Sequence, residues 1–443
     1  MKTLVYGLGE SGISAIQALL DRGQEVVAAD SGDTPRLRDA LARLGVHGRL
    51  AAGTEVLEGI DRLVVSPGVS PREPVLEAAE KEAIPVISEV GLGLELLGAG
   101  VKVVGVTGTN GKTTVVDMIQ TILSEARVPH TVAGNSWRAI TGCLDEARST
   151  GVLVLEVSSF QLHYLKGAGF DVAALLNVRP DHLNWHRSFE EYVTDKLRVF
   201  EGQGPEDLAL VSESDSFGRA TLPKLHSETL VIGEGDTTIC NGTLMLRGEE
   251  LIHAAELGFF GKHNYENALF AAAAVEKLGV SPQDIRAGLM SYRLKPHRME
   301  LAAERDGVLF VDDSKATNPA ATAAALESVE GPVVLILGGS KKETEFAEVL
   351  PHLRRCRAII CQGEAGCVIS EYLIGAGWGR LVYRARDLSR AVAIGEELAR
   401  PGDTVLLSPG CASFDQFAGY AERGDAFARL VSGEREPRKV VRG

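Results

Sequence analysis

Short runs of aliphatic and β-branched residues alternate along almost the whole chain with stretches whose apolar side chains recur at helical spacing. That alternation predicts an α/β fold of parallel strands, each followed by a helix that packs back over the sheet. The first block reads as a strand over residues 3–7, a turn at 7–12, and a helix carrying Ile13, Ile16, Leu19 and Leu20. Further strands are expected at 25–29 and 62–65, and the glycine density around 96–100 predicts a linker. The second block, to about Tyr292, has expected strands at 101–106, 152–157, 172–178 and 208–211, and a helix over 264–278. The third block places strands at 308–311, 333–337, 358–361 and 404–407. Three α/β domains follow: 1–97, 98–292 and 293–443.

In open parallel sheets, ligands bind beyond the carboxyl ends of the strands, and the polar clusters of this chain fall at those ends. The most informative is Val106-Thr-Gly-Thr-Asn-Gly-Lys-Thr-Thr114. A glycine-rich turn between strand and helix aims backbone N–H groups and the positive end of the helix dipole at one point, where a phosphate fits. Lys112 adds a mobile cation, and the Thr113 hydroxyl can ligate Mg²⁺. Val106 stands where the strict Walker pattern has its first glycine.

Glu156, ending another strand, is suited to holding Mg²⁺ or orienting its water; a helix N-cap or a solvated turn is the plainer alternative. His182, in Asn177-Val-Arg-Pro-Asp-His182, could ligate a second ion, with a purely structural role the alternative for a lone histidine. Lys196, taken alone, reads as a solvated lysine on a helix. Gly261-Lys-His-Asn-Tyr-Glu-Asn267 opens a helix with side-chain amides, for which capping is a sufficient explanation. Asp312-Asp-Ser-Lys-Ala-Thr-Asn318 gathers acid, base and hydroxyl, and Lys295-Pro-His-Arg298 adds cations suited to an anionic transition state or a carboxylate. At the N-terminus, Gly7-Leu-Gly-Glu-Ser-Gly12 with Asp30 matches a dinucleotide fingerprint, a pattern that fits any diphosphate joined to a ribose.

Composition narrows the class. A chain of 443 residues exceeds one hydrophobic core, and a net charge of −14 argues against a general nucleic-acid or anionic-membrane surface. No run reaches the roughly 18 uncharged apolar residues of a membrane span, and the strand-like run beginning at Thr3 leaves no room for a signal peptide. The six cysteines lack zinc-like pairing, which suggests reduced thiols and a cytoplasmic location.

These motifs together resemble the ATP-dependent Mur ligases of peptidoglycan synthesis, over essentially the full length. TGTNGKTT, EVSSFQL, NVRPDHL, GKHNYEN, DDSKATN and LSPGCASFDQF carry the resemblance, in the family's order. The resemblance implies a Rossmann-like N-terminal domain for a UDP-linked substrate, a central ATPase domain, and a Rossmann-like C-terminal domain that brings the amino acid. It implies addition of D-glutamate to UDP-N-acetylmuramoyl-L-alanine by a monomer, with ATP and two Mg²⁺ ions, and no nucleic-acid or membrane partner. Residue by residue it assigns Gly108, Thr109, Asn110, Gly111, Lys112, Thr113, Thr114, Asn264, Asn267, Arg298 and Asp313 to ATP. Thr113, Glu156, His182 and a carbamylated Lys196 (N6-carboxylysine) would hold metal. Gly9, Glu10, Ser11, Asp30, Ser31, Gly68, Asn135 and His182 would face the UDP substrate. Lys315 would face the γ-phosphate or the amino acid, with Thr317, Lys342, Ser413 and Tyr420 toward D-glutamate; the lysine loop leaves Lys341 and Lys342 as alternatives. The chain departs from the family pattern at Arg179, Asn184 and Tyr420. Residues divided among the blocks imply closure during turnover. The rival classes are a nicotinamide oxidoreductase, which leaves the phosphate loop unexplained, and a nucleotide switch that forms no bond.

Overall fold

In the computed structural model, the apolar runs become strands of three principal sheets. The structure describes residues 1–432 except 47, 166, 168, 183, 184, 260, 330 and 341–345. The N-terminal sheet is parallel, in the order Gly48–Arg49, Glu25–Ala29, Lys2–Tyr6, Arg62–Val65, Val86–Ser88. The central sheet is also parallel, in the order Glu228–Ile232, Leu208–Ser212, Val172–Leu175, Lys102–Thr107, Val152–Glu156, Thr131–Gly134. Its middle strand is apolar on both faces, with Val103, Val104 and Val106 buried, as a parallel strand covered by helices on either side requires.

The C-terminal sheet runs Glu300–Arg305, Val308–Asp312, Thr404–Leu407, Val333–Gly338, Cys356–Gln362, Val382–Arg384. Its first two strands are antiparallel and the rest parallel. Contacts partition the chain into two compact units: Met1–Leu257 with Glu266–Tyr292, and Gly258–Tyr265 with Arg293–Gly443.

Several expectations need correction. The strand at 172 stops at Leu175 rather than 178: Leu176 N–H makes a last ladder bond to Thr107 O, after which Asn177 turns its side chain to the phosphate loop. The linker expected from 96 begins later, since the helix Glu89–Leu97 uses the first of those residues and ends at Gly98. The helix expected from Asn264 spans Lys262–Lys277.

A fourth, antiparallel sheet of Ile239–Cys240, Thr243–Leu246 and Glu249–His253 has no counterpart in the sequence reading. Its signal is present nonetheless. Asn241-Gly242 and Arg247-Gly248 both have positive φ at each residue, the two-residue turn that matches hairpin twist. Cys356 and Cys361 are buried while Cys367 is exposed. No described helix is long and apolar enough to cross a membrane.

Candidate active site

The phosphate loop links the strand Lys102–Thr107 to the helix Lys112–Glu125, which buries Val115, Val116, Ile119, Ile122 and Leu123 against the sheet. Gly108 and Gly111 have φ of +156° and +88°, and a Cβ on Gly111 would lie 2.8 Å from Asn267 Oδ1. The left-handed backbone at Gly111 favours glycine, and an added Cβ would also have to displace the Asn267 amide. The segment after the neighbouring strand grips the loop. Asn177 exchanges hydrogen bonds with Asn110, its side-chain amide donating to Asn110 O (3.1 Å) and its Oδ1 accepting from Asn110 N–H (2.9 Å). Thr109 Oγ1 contacts Tyr192 OH at 2.8 Å and accepts from Arg179 N–H at 2.9 Å. Lys112 Nζ folds over the loop, donating to the carbonyls of Gly108 (2.7 Å) and Thr109 (2.9 Å).

Glu156 is 1% exposed, with Oε1 accepting from Asn135 Nδ2 (3.0 Å) and Ser136 Oγ (2.8 Å). Its Oε2 is buried and has no hydrogen-bond donor among the described residues. A buried, unpartnered carboxylate oxygen beside a phosphate cradle fits a hard divalent cation, so the donor set suits Mg²⁺. Thr113 Oγ1 and Ser136 Oγ are 3.5 Å apart, which joins the helix start to the same carboxylate. His182 takes a positive φ of 55°, is about half exposed, and rests edge-on against Phe160.

Lys196 corrects the surface reading made from its residue type. It is 2% exposed, donates to Gly108 O at 2.8 Å, and lies over the Tyr192 ring. Burial first, and then the nearby Lys112 cation, push its pKa far below the usual lysine range. A neutral amine is the form able to add CO₂. Tyr192, one helical turn earlier, joins Lys196 to Thr109; that i, i+4 spacing was the available signal for its positioning role. Asn177 and Ser136 were likewise missed, and only their neighbours in space reveal them.

In the N-terminal sheet, Gly12 is a packing glycine: a Cβ there would meet Gly7 O at 1.9 Å. Gly9 and Gly68 have open space instead, which leaves room for a ligand against the backbone. Glu10 opens the helix Glu10–Leu20, followed by Ser11. Asp30 braces the turn, accepting from Leu8 N–H (2.7 Å) and Gly32 N–H (2.8 Å), beside exposed Ser31.

The C-terminal unit gathers a separate group. Asp313 is buried and accepts from Ser408 Oγ at 2.8 Å. Burial raises its pKa to about 7, against the opposing hydrogen bond from Ser408. Lys315 Nζ sits 4.2 Å from the Tyr420 ring centroid, and Ser314 Oγ donates to Tyr420 O. Arg298 lies between His297 and Met299, both with positive φ, and His297 Nδ1 is 2.7 Å from Asp312 Oδ2. Thr317 precedes Asn318, the N-cap of helix Pro319–Ser328, while Ser413 is buried. Arg423, not singled out from sequence, ties these loops together: it donates to Ser314 O, Ser314 Oγ, Cys411 O and Ala412 O. Lys341, Lys342 and Asn184 lie outside the described residues. Asn264 and Asn267 are buried on the helix Lys262–Lys277, and Thr114 is buried behind the phosphate loop.

Comparison with known proteins follows this division. Residues 1–88 match the Mur ligase MurD-like N-terminal domain, 106–275 the Mur ligase middle domain, and 297–411 the Mur ligase glutamate ligase domain. The UDP-N-acetylmuramoylalanine--D-glutamate ligase of Rubrobacter xylanophilus is 63% identical over 443 residues, covering all of both chains. The enzyme of the same name from Desulfitobacterium hafniense is 35% identical over 97% of each. Among solved structures, a pseudomurein peptide ligase type C from Methanothermus fervidus shares the fold with a TM-score of 0.62 at 19% identity, covering 98% of this chain and 100% of its own. With three matching domain models in order and a full-length relative at this identity, the chain belongs to the Mur ligase family.

Proposed function

We propose that this chain is the ligase that adds D-glutamate to UDP-N-acetylmuramoyl-L-alanine at the expense of ATP, in peptidoglycan precursor synthesis. The observation that carries the chemistry is the glycine cradle with Lys112 folded over it, beside the unpartnered Oε2 of buried Glu156. The amino acid and acceptor rest on the 63% identical relative, whose whole length is matched. The substrate carboxylate attacks the γ-phosphate of ATP, forming an acyl phosphate and releasing ADP. The amine of D-glutamate then attacks the acyl carbon, the amide bond forms, and inorganic phosphate leaves.

In-line phosphoryl transfer asks the protein mainly for positioning and charge neutralisation. The loop amides of residues 108–114 and the Lys112 ammonium supply both for the phosphates. Thr113, Glu156, His182 and Lys196 would hold Mg²⁺, two ions in our reading, which neutralises developing charge when bound. Carbamylated Lys196 would present a carboxylate in place of its amine. Asn264, Asn267, Arg298 and Asp313 serve the nucleotide. Gly9, Glu10, Ser11, Asp30, Ser31, Gly68, Asn135 and His182 serve the UDP substrate, and Lys315, Thr317, Lys342, Ser413 and Tyr420 the γ-phosphate and D-glutamate. Domains of 1–97, 98–292 and 293–443, a monomer and a cytoplasmic location complete the reading.

Two experiments test it. Lys112→Ala is expected to lower turnover by at least about 10³-fold with an unchanged melting temperature; near-normal turnover overturns the phosphate-loop assignment. Incubation with ¹³C-bicarbonate is expected to give a carbamate NMR resonance that is absent in Lys196→Gln. Persistence of the same resonance in that variant overturns the Lys196 assignment.

A further inference from the structure

The same unit holds a second cluster of ligating side chains, unused by the reaction above and independent of that reading. His163 ends the helix Ser159–His163, His186 lies just before the helix Phe189–Leu197, and Asp195 sits in that helix. One carboxylate oxygen, Asp195 Oδ2, is 2.7 Å from His163 Nδ1 and 3.2 Å from His186 Nδ1. The ligand atoms of all three residues lie within 4.8 Å of one another. His186 and Asp195 are buried, whereas His163 is partly exposed and gives the cluster a side open to solvent.

Two further observations favour a cation here over hydrogen bonding alone. His186 is 0% exposed, and its Nδ1 faces the carboxylate at 3.2 Å without well-aligned hydrogen-bond geometry. Its other nitrogen, Nε2, contacts Ser159 Oγ at 3.0 Å. With Nε2–H donated to Ser159, the lone pair of Nδ1 faces an anionic oxygen in buried surroundings. In that tautomer a positive ion between the two relieves the repulsion; in the other, Ser159 donates to Nε2 and Nδ1–H faces the carboxylate. A ligating imidazole has this arrangement: one nitrogen on the metal, the other held by an outer oxygen that sets the tautomer.

The surroundings suit a metal as well. Phe160 stacks on His186 and Trp185 meets both histidines edge-on, 4.6 Å from His186 and 5.3 Å from His163, which keeps the local dielectric low. Arg198 Nε is 3.4 Å from Asp195 Oδ1, the other carboxylate oxygen, leaving Oδ2 for ligation.

We propose that His163, His186 and Asp195 form a binding site for a divalent transition metal of the zinc class, with water in the fourth position. Two imidazoles and one carboxylate favour zinc or cobalt over magnesium, which prefers all-oxygen shells. The ion would clamp the helix Phe189–Leu197, which carries Tyr192 and Lys196, to the helix Ser159–His163. Its role is to hold the Lys196 face of the phosphate loop in place.

The test uses the full-length chain, stripped with a chelator and titrated with Co²⁺ alone, read by visible absorption. One equivalent should give the intense bands of four-coordinate cobalt, displaced by Zn²⁺. His163→Gln and Asp195→Asn should each weaken binding by on the order of 100-fold, with His163 the safer substitution because it is partly exposed. His182→Gln and the Cys240→Ser/Cys367→Ser double variant should keep the bands. Zn²⁺ should also raise the melting temperature of the wild type and not that of His163→Gln. Absence of bands in the wild type means a hydrogen-bonded network only and overturns the proposal. So do bands that survive His163→Gln, or that disappear in His182→Gln.

Discussion

Glu89 shows how much one buried side chain can set. It is 1% exposed, and its Oε1 accepts from the backbone N–H (2.8 Å) and hydroxyl (2.6 Å) of Thr141, which in turn contacts Ser14. Its Oε2 is buried and receives no hydrogen bond from the described residues. Burial raises the carboxyl to about 7, with the Thr141 hydrogen bonds pulling the other way. A raised acid binds its proton more tightly folded than unfolded. Its stabilising contribution is therefore complete below the unfolded value near 4.5 and lost as pH rises through about 7. The loss is worth up to about 3 kcal/mol. Glu89→Gln removes the titration, so its melting temperature should fall less than that of the wild type between pH 5 and pH 8. Parallel curves for the two proteins would contradict this. Glu89 was invisible in the sequence: nothing in Ile-Ser-Glu-Val marks a glutamate as buried. Lys196 carries the same lesson, since its burial depends on Gly108 O, 88 positions away in the chain.

At the scale of elements, the strands were the most legible feature, because buried parallel strands must be runs of apolar residues. Arg62–Val65 and Thr404–Leu407 fall where the pattern puts them. The phosphate loop was legible for a different reason: Gly108 and Gly111 adopt conformations that other residues resist. What stayed hidden were the partners that hold loops, such as Asn177 and Arg423, whose roles arise only from tertiary contact. Arg423 is 1% exposed, and burial lowers its pKa to about 10. Arg423→Met would strip a donor from the carbonyls of Ser314, Cys411 and Ala412, at a cost of about 2–4 kcal/mol. Hydrogen exchange should quicken at 314–316 and 411–413 while the phosphate loop keeps its protection. Unchanged exchange in those two segments would mean that Arg423 does not hold them.

For the whole molecule, the alternation of strand and helix predicted parallel sheets, and the described residues form three principal sheets, with one antiparallel edge and one small hairpin sheet added. The candidate residues divide along the same lines. The central sheet presents the phosphate cradle and a carboxylate fit for a cation, while the C-terminal unit presents Asp313 and Lys315 on a loop and Tyr420 at the start of the helix that carries Arg423. Motif order across the full length made the family legible, whereas the choice of amino acid depends on side chains that no spacing pattern reads. That choice is the central claim. It is tested by phosphate release from MgATP with UDP-N-acetylmuramoyl-L-alanine, comparing D-glutamate, L-glutamate, meso-diaminopimelate and no amino acid. Release that requires D-glutamate is the predicted result. Release without any amino acid, or driven by one of the other two, would contradict it.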